Sequence, residues 1–376
     1  MEINQARSQF PYLKTGKIYF NHAAVSPIPK CSVDILKEYF KVRSEGEIEN
    51  YFSFQKTILE TKELIGKMIN ADKYRIAFID NTSNGLNILA QGLNWNPGDR
   101  ILLYDVEFPS NVYPFMNLKK YRVELDFISP VNGRIELSQI EENIRPETKL
   151  LTISHVQFLS GFRADLKSIG EFCRSKGIIF CVDGIQAVGA VPVDVKEMKI
   201  DFMSCGVFKW LMSVEGTAFI FLTEEIQEQI NQKYVGWTSV KNAWDILNYE
   251  LILEDTARRF ETGAMNFPGI ASLNSALKMF NLFGLNEIHN KIILNSEYLI
   301  NKFGKIGIDP SYKSRSSEEL SGIVSFKIDN VDKINEKLLE NDIQCAVREG
   351  YLRIAPHFYN DFSEFDKLIE VIKNSI

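Results

Sequence analysis

The sequence has little of what a metal-binding or disulfide-stabilised protein requires. Its five cysteines are widely spaced, odd in number and without a CxxC pair, which argues against a disulfide framework and favours a reducing compartment. The four histidines stand singly, so there is neither an HExxH motif nor a Cys/His zinc spacing: His22, His155, His289 and His357. We therefore expect no metal site.

Excess charge of one sign is also missing. The chain has 43 basic and 49 acidic residues, and no long run of either, so no basic patch indicates nucleic-acid binding. No uncharged apolar stretch reaches the ~18 residues of a membrane span, and the first residues do not resemble a secretion signal. With 376 residues, of which 45% are hydrophobic, the sequence predicts a cytoplasmic globular protein of about two domains.

The middle of the chain alternates short β-rich runs with helical stretches. Several of these runs are continuously apolar, as in strands covered on both faces. The alternation predicts an α/β fold with a mostly parallel sheet between helices. The predicted strands are 75–79, 100–104, 124–128, 149–154, 177–182, 201–205 and 217–222.

From about residue 268 the pattern changes to long helices followed by a few strands, which predicts a smaller α+β domain. We expect a large domain over 21–267, a small domain over 268–376, and an N-terminal segment, 1–20, that packs with the small domain. No linker rich in proline or glycine separates the domains, so we expect them to pack closely.

Two residues in the middle of the chain follow apolar strands and carry reactive groups. Asp183 ends the run CVD, and the carboxyl ends of strands in open α/β sheets face the ligand crevice. Lys209 stands between Phe208 and Trp210, and apolar surroundings lower a lysine's pKa and favour an imine with an aldehyde. Taken alone, Asp183 is equally well a turn or cap residue, and Lys209 a surface lysine.

Several motifs in a fixed order resemble the class V, fold-type I enzymes that use pyridoxal 5'-phosphate (PLP). They are IYFNHAAVSPIP, DNTSNGLNILA, VEFPSNVYPF, SHVQFLSGFRADL, CVDGIQAVGAVPVDV, DFMSCGVFKWL, RRFETGAMNFPGI and LRIAPHFYN. The segment GWTSVKNAWDILNYEL is most similar to the branch named after isopenicillin N epimerase. The resemblance implies a fold-type I architecture, with a large domain of mostly parallel sheet and a smaller α+β domain.

The resemblance also implies roles for individual residues. Lys209 matches the lysine that holds PLP and moves the substrate's Cα proton, and Asp183 matches the partner of the pyridine nitrogen. His155 matches a histidine stacked on the ring, and Gln186 a hydrogen-bonding partner of the ring's phenolic oxygen. Arg353 matches the arginine that binds the substrate carboxylate. Further substrate-site candidates are Asn21, His22 and Arg348, followed by Asn111 and His357.

The residues at the predicted phosphate site match the family's pattern less closely. Thr82 and Ser83 open a helix, whose N-terminal N–H groups suit an anion. At the position three residues before the lysine, where the family commonly has a phosphate-binding serine, this chain has Gly206, and Ser204 is the nearest hydroxyl. Ala264 replaces the threonine that the family donates to the phosphate of the neighbouring subunit. A third departure, Phe208, replaces a histidine or tyrosine.

One further comparison concerns the reaction. Cysteine desulfurases carry a nucleophilic cysteine on a loop before the carboxylate-binding arginine, but here Gly350 is followed almost directly by Arg353. Cys345 lies in an apolar run, so a persulfide-forming desulfurase is disfavoured. A nicotinamide dehydrogenase is also disfavoured, because no GxGxxG motif follows the first strand.

The remaining candidate reactions all begin with removal of the Cα proton from a small α-amino acid. An aminotransferase is our first prediction, followed by a C–S lyase or other β-eliminating enzyme, and then an epimerase. A PLP-binding protein without catalysis is the remote alternative, motivated by the three departures. The resemblance further implies a homodimer with the cofactor near the subunit interface.

Overall fold

The structure is a computed structural model that describes residues 3–376. Its α-helices are α1 (Ile3–Ser8), α2 (Lys30–Glu45), α3 (Tyr51–Ile69), α4 (Thr82–Gly92), α5 (Tyr113–Met116), α6 (Leu137–Asn143), α7 (Leu166–Lys176), α8 (Glu224–Gln229), α9 (Phe267–Phe283), α10 (Leu285–Gly304), α11 (Val331–Glu340) and α12 (Phe362–Lys373). None of the helices in this range is both long and apolar enough to cross a membrane.

Three sheets organise the chain. A seven-stranded sheet has the order β2-β8-β7-β6-β5-β3-β4, a three-stranded sheet the order β11-β12-β9, and β1 pairs with β10. The strands are β1 (Ile18–Tyr19), β2 (Ile76–Ile79), β3 (Arg100–Tyr104), β4 (Glu124–Ile128), β5 (Thr148–Ser154), β6 (Ile179–Asp183), β7 (Phe202–Gly206), β8 (Ala218–Leu222), β9 (Val324–Lys327), β10 (Ile343–Gln344), β11 (Ala346–Arg348) and β12 (Tyr351–Ile354).

The large sheet confirms the predicted α/β architecture. β3 to β7 run parallel, while β8 is antiparallel to both of its neighbours, β2 and β7. All residues of β6, β7 and β8 are buried, which explains their unbroken apolar runs. The register places Ser154, Asp183 and Ser204 side by side at the carboxyl edge of β5, β6 and β7.

The smaller part of the chain has its own core. β9, β11 and β12 form an antiparallel sheet, and β1 adds to β10 from the N-terminal segment. Arg7 in α1 forms an ion pair with Glu364 in α12 at 2.9 Å. The side chains of this core include Phe20, Leu299, Phe303, Phe326 and Leu338.

The helix α9 begins at the boundary predicted at residue 268 and packs on α3, where Phe267 stacks on Phe54 with ring centroids 4.5 Å apart. In α10, Ile288 and Ile292 belong to the large core, whereas Leu299 and Phe303 belong to the small one. The helix α10 therefore contributes to both cores, and the division of the chain at residue 268 stays a prediction.

Candidate active site

Asp183 and Lys209 meet at the carboxyl edge of the large sheet. Asp183 is 2% exposed and accepts one hydrogen bond, from Ile185 N at 2.9 Å. Lys209 follows β7 in a turn and is 9% exposed. Burial raises the pKa of Asp183 to about 6 and lowers the pKa of Lys209 to about 8, and the attraction between the two charges opposes both shifts.

Two phenyl rings border the Lys209 amine. Its Nζ lies 5.6 Å from the ring centroid of Phe108 and 5.8 Å from that of Phe208. Phe108 follows β3 and packs edge-to-face on Phe158 with centroids 5.3 Å apart. The departure at Phe208 therefore adds an apolar wall, which helps to explain the lowered pKa of the amine.

His155 lies beside Asp183 but shows little surface. Its backbone N–H donates to Asp183 O at 3.2 Å, its ring is 1% exposed, and its Nδ1 is buried without a hydrogen-bond partner. Burial lowers its pKa to about 3, so the ring is neutral. Phe108 is 43% exposed and is a second aromatic side chain at this edge, while the stacking role of His155 stays a prediction. Sequence reasoning missed Phe108, although it lies within VEFPSN.

Gln186 connects the turn after β1 to the residue after the lysine. Its Nε2 donates to Ala23 O at 3.0 Å, and its Oε1 accepts from Trp210 Nε1 at 2.8 Å. An amide nitrogen carries two hydrogens, so one N–H remains for a ring oxygen.

The helix α4 begins at this edge with the predicted hydroxyl residues. Thr82 Oγ1 accepts from Gly206 N at 2.9 Å, and Ser83 Oγ donates to Ser110 Oγ at 2.8 Å. A Cβ atom on Gly206 would lie 2.9 Å from Ile185 Cδ1 and 3.1 Å from Thr82 Oγ1, so a serine at that position would need the end of the Ile185 side chain to shift.

Ser204, a predicted cofactor-site residue, is bonded within the protein. Its side chain is fully buried in β7, and its hydroxyl donates to Thr82 O at 3.0 Å. This bond links the start of α4 to the sheet, and a contact between Ser204 and the phosphate stays a prediction.

Arg353 lies on β12 with its guanidinium partly unpaired. Its Nη1 donates to Phe158 O at 2.7 Å, while its Nε is buried without a partner. Burial and the nearby Arg348 lower its pKa to about 10, so it stays protonated at neutral pH. Asn21 forms a β-bridge with Ala355, and its Oδ1 is also buried without a partner.

His22, a predicted substrate-site residue, has both ring nitrogens bonded within the protein. The ring is completely buried, with Nδ1 bonded to Ala355 O at 2.7 Å and Nε2 to Tyr359 Oη at 2.8 Å. A contact between His22 and the substrate stays a prediction. His357 is likewise buried, with Nε2 3.2 Å from Trp210 O. Arg348 is exposed, and its Nη1 donates to Val347 O at 2.8 Å.

Ala264 lies away from Lys209, on an exposed loop beside a cavity of about 720 Å³. The cavity is also lined by Asp80, Asn84 and Thr217. A buried ion pair fixes the base of the loop, with Glu261 Oε1 2.7 Å from Lys62 Nζ.

The thiols of the described residues are buried or half-buried. Cys31 is half-buried and the other four cysteines are buried. Cys345 belongs to the small core, and burial raises its pKa. No described cysteine is therefore an exposed nucleophile.

The donors and acceptors at the sheet edge fit PLP. A pyridine N–H needs a carboxylate, and Asp183 has only one protein partner. An aldehyde needs an amine with a lowered pKa, which Lys209 provides. Unpartnered buried polar atoms surround these two groups, as a site that a polar ligand completes would show: His155 Nδ1, Asn111 Nδ2, Asn21 Oδ1, Gln157 Oε1 and Arg353 Nε.

The chain is similar to known proteins over nearly its whole length. A probable cysteine desulfurase of Methanothermobacter thermautotrophicus is 26% identical, over 99% of this chain and 98% of its own. An uncharacterized aminotransferase of Bacillus subtilis, YcbU, is also 26% identical, over 98% of this chain and 96% of its own.

Solved structures share the fold. The apo cysteine desulfurase of Thermococcus onnurineus NA1 superposes with a TM-score of 0.91 at 24% identity, covering 100% of this chain and 98% of that one. The cystine C–S lyase C-DES, in complex with cysteine persulfide, gives a TM-score of 0.89 at 24% identity, covering 97% and 99%.

A profile of one protein family spans most of the sequence. The family described as Aminotransferase class-V matches residues 18–358. The chain therefore belongs to the class V aminotransferase family, and it is a PLP enzyme of fold type I.

Proposed function

We propose that this protein transfers the amino group of a small α-amino acid. The observation that carries the proposal is one amine of lowered pKa, Lys209, beside the buried carboxyl of Asp183 and between two phenyl rings. Arg353 supplies a cation for the substrate carboxylate.

Different residues of the site have different roles in the proposed reaction. PLP, when bound, supplies an electron sink for the carbanion that forms at the substrate's Cα. Asp183 keeps negative charge at the ring nitrogen, and Arg353 orients the substrate through its carboxylate. Lys209 Nζ removes the Cα proton, and its lowered pKa leaves part of it neutral near pH 8. Phe108 and Phe208 exclude water from this amine.

The same surroundings weigh against two other reactions. A two-base epimerase needs a second proton carrier across Cα from the lysine. The two phenyl rings that border Lys209 Nζ, those of Phe108 and Phe208, cannot carry a proton. A persulfide-forming desulfurase needs an exposed thiol, and Cys345 is in a core.

A C–S lyase is the second candidate. Relatives and neighbours are named for cysteine or cystine chemistry, and β-elimination uses the same lysine, aspartate and arginine without a thiol nucleophile. This reaction differs from amino transfer in needing no second substrate.

A screen of amino acids with and without a keto-acid acceptor tests the proposal. We expect keto-acid formation that depends on the acceptor, because amino transfer returns the cofactor to its starting state only through a second substrate. Acceptor-independent release of pyruvate and sulfide would instead establish the lyase. Turnover by the Lys209→Ala variant serves as the blank, and no product from any amino acid would contradict both candidates.

We also propose a homodimer. Large apolar side chains are strongly exposed near the Ala264 loop, and contiguous apolar surface of this kind indicates an interface. The exposed residues are Tyr234, Trp244, Ile246, Leu247, Tyr249 and Leu251. The occupant we infer is a second copy, because the resemblance places the Ala264 loop at the neighbouring subunit's cofactor.

The dimer prediction concerns Leu247, which is 81% exposed. We expect Leu247→Asp to shift the protein from dimer to monomer in size-exclusion chromatography with light scattering, because a buried unpaired charge opposes association. Leu282→Asp, at an exposed position on α9, is the control and should remain dimeric. A monomeric wild-type protein would refute the dimer.

A further inference from the structure

Glu107 is a buried carboxylate to which neither the sequence nor the proposed reaction gives a role. It lies in the turn after β3, directly before Phe108, and is 6% exposed. A carboxylate at this depth requires hydrogen-bond donors. Ser154 N and Gln157 Nε2 donate to its Oε1 at 2.7 and 3.0 Å, and Ser154 Oγ donates to its Oε2.

The donors belong to Ser154, the last residue of β5, and to Gln157, which follows the strand. One carboxylate therefore joins two segments that border the candidate site, the turn that carries Phe108 and the strand end that carries His155. The second segment is also hydrogen-bonded to the end of β6, because His155 N donates to Asp183 O at 3.2 Å.

The bond from Gln157 has a second consequence. With Nε2 directed to the carboxylate, the amide is held in one orientation, and its Oε1 stays buried without a partner. A protein seldom leaves such an acceptor unused unless a ligand or water completes it.

We propose that Glu107 is a positioning residue of the PLP site. Its carboxyl group holds the end of β5 against the turn after β3, and so sets the spacing of Phe108, His155 and Asp183 around the cofactor. The proposal rests on PLP being attached to Lys209, as proposed above.

The acceptor chemistry distinguishes this role from simple packing. Glutamine has nearly the same shape, but its NH₂ group would face donors where the carboxylate accepts. Aspartate keeps the charge and both acceptor oxygens but is shorter by one methylene. Glu107→Gln should therefore disturb the site more than its small change of volume suggests, and Glu107→Asp should restore part of the effect.

The test measures PLP binding to the cofactor-free protein by absorbance titration. It also measures the midpoint of the protein's thermal unfolding. We expect Glu107→Gln to bind PLP at least about tenfold more weakly. We also expect the pH midpoint of the visible band of lysine-bound PLP to shift. Glu107→Asp should lie between this variant and the wild type, and it decides the question if the glutamine variant does not fold.

Glu364→Gln is the matched control, because Glu364 is also a buried carboxylate with several donors, from Arg7, Asn360 and Asp361. It should lower the thermal midpoint and leave PLP affinity within about twofold. Wild-type affinity and an unshifted band in both Glu107 variants would overturn the proposal, as would equal weakening in Glu364→Gln. A wild-type protein with no PLP on Lys209 would instead refute the proposed function itself.

Discussion

Replacing Lys209 with alanine is expected to remove covalently attached PLP and to lower turnover by at least about 10³-fold. The side chain is the only described amine placed beside Asp183 at the carboxyl edge of the sheet, so no neighbour is positioned to replace it. Mass spectrometry after borohydride reduction measures attachment, and circular dichroism measures whether the fold persists.

Lys149→Ala is the control for this substitution. Lys149 is also partly buried and pairs with Asp99 at 3.1 Å, but it lies at the other end of β5. Its loss should leave attachment and turnover within a small factor of the wild type. PLP attached to a different lysine in Lys209→Ala would show that the assignment is wrong.

Replacing Arg353 with alanine should act on substrate rather than on cofactor. We expect KM to rise at least about 30-fold, because a charge-assisted carboxylate pair lost from a buried site costs ~2–4 kcal/mol. PLP affinity of the cofactor-free protein should not change, since the predicted cofactor contacts come from the large sheet. Steady-state kinetics and PLP titration separate the two effects.

Two further variants sharpen that result. Arg353→Lys keeps the charge but not the planar fork, so its KM should lie between those of the wild type and the alanine variant. Arg348→Ala, at an exposed position, should change KM far less. The reverse order, with Arg348→Ala the more damaging, would assign carboxylate binding to Arg348.

The sequence was most informative where one physical requirement dominates. Strands covered on both faces must be apolar throughout, so β6, β7 and β8 stood out as continuous runs. Asp183 and Lys209 became recognisable once several motifs occurred in register. The sequence could not show the direction and pairing of side chains, which composition does not encode: the hydroxyl of Ser204 donates to Thr82 O, and both nitrogens of His22 are bonded within the protein.

Glu107 was missed because an acid after a strand resembles an ordinary turn residue, and only the structure shows its donors, which lie 47 and 50 positions along the chain. Burial raises its pKa to about 7, a shift that no local sequence pattern signals. The sequence also did not show that α10 contributes to two cores, because one continuous amphipathic helix reaches both.

That continuous helix has a consequence for how the protein loses its structure. One end of α10 packs into the large core and the other into the small core. Neither core can therefore unfold without exposing apolar side chains of the same helix to water. The helix thus couples the two cores energetically, and their melting should be cooperative rather than stepwise.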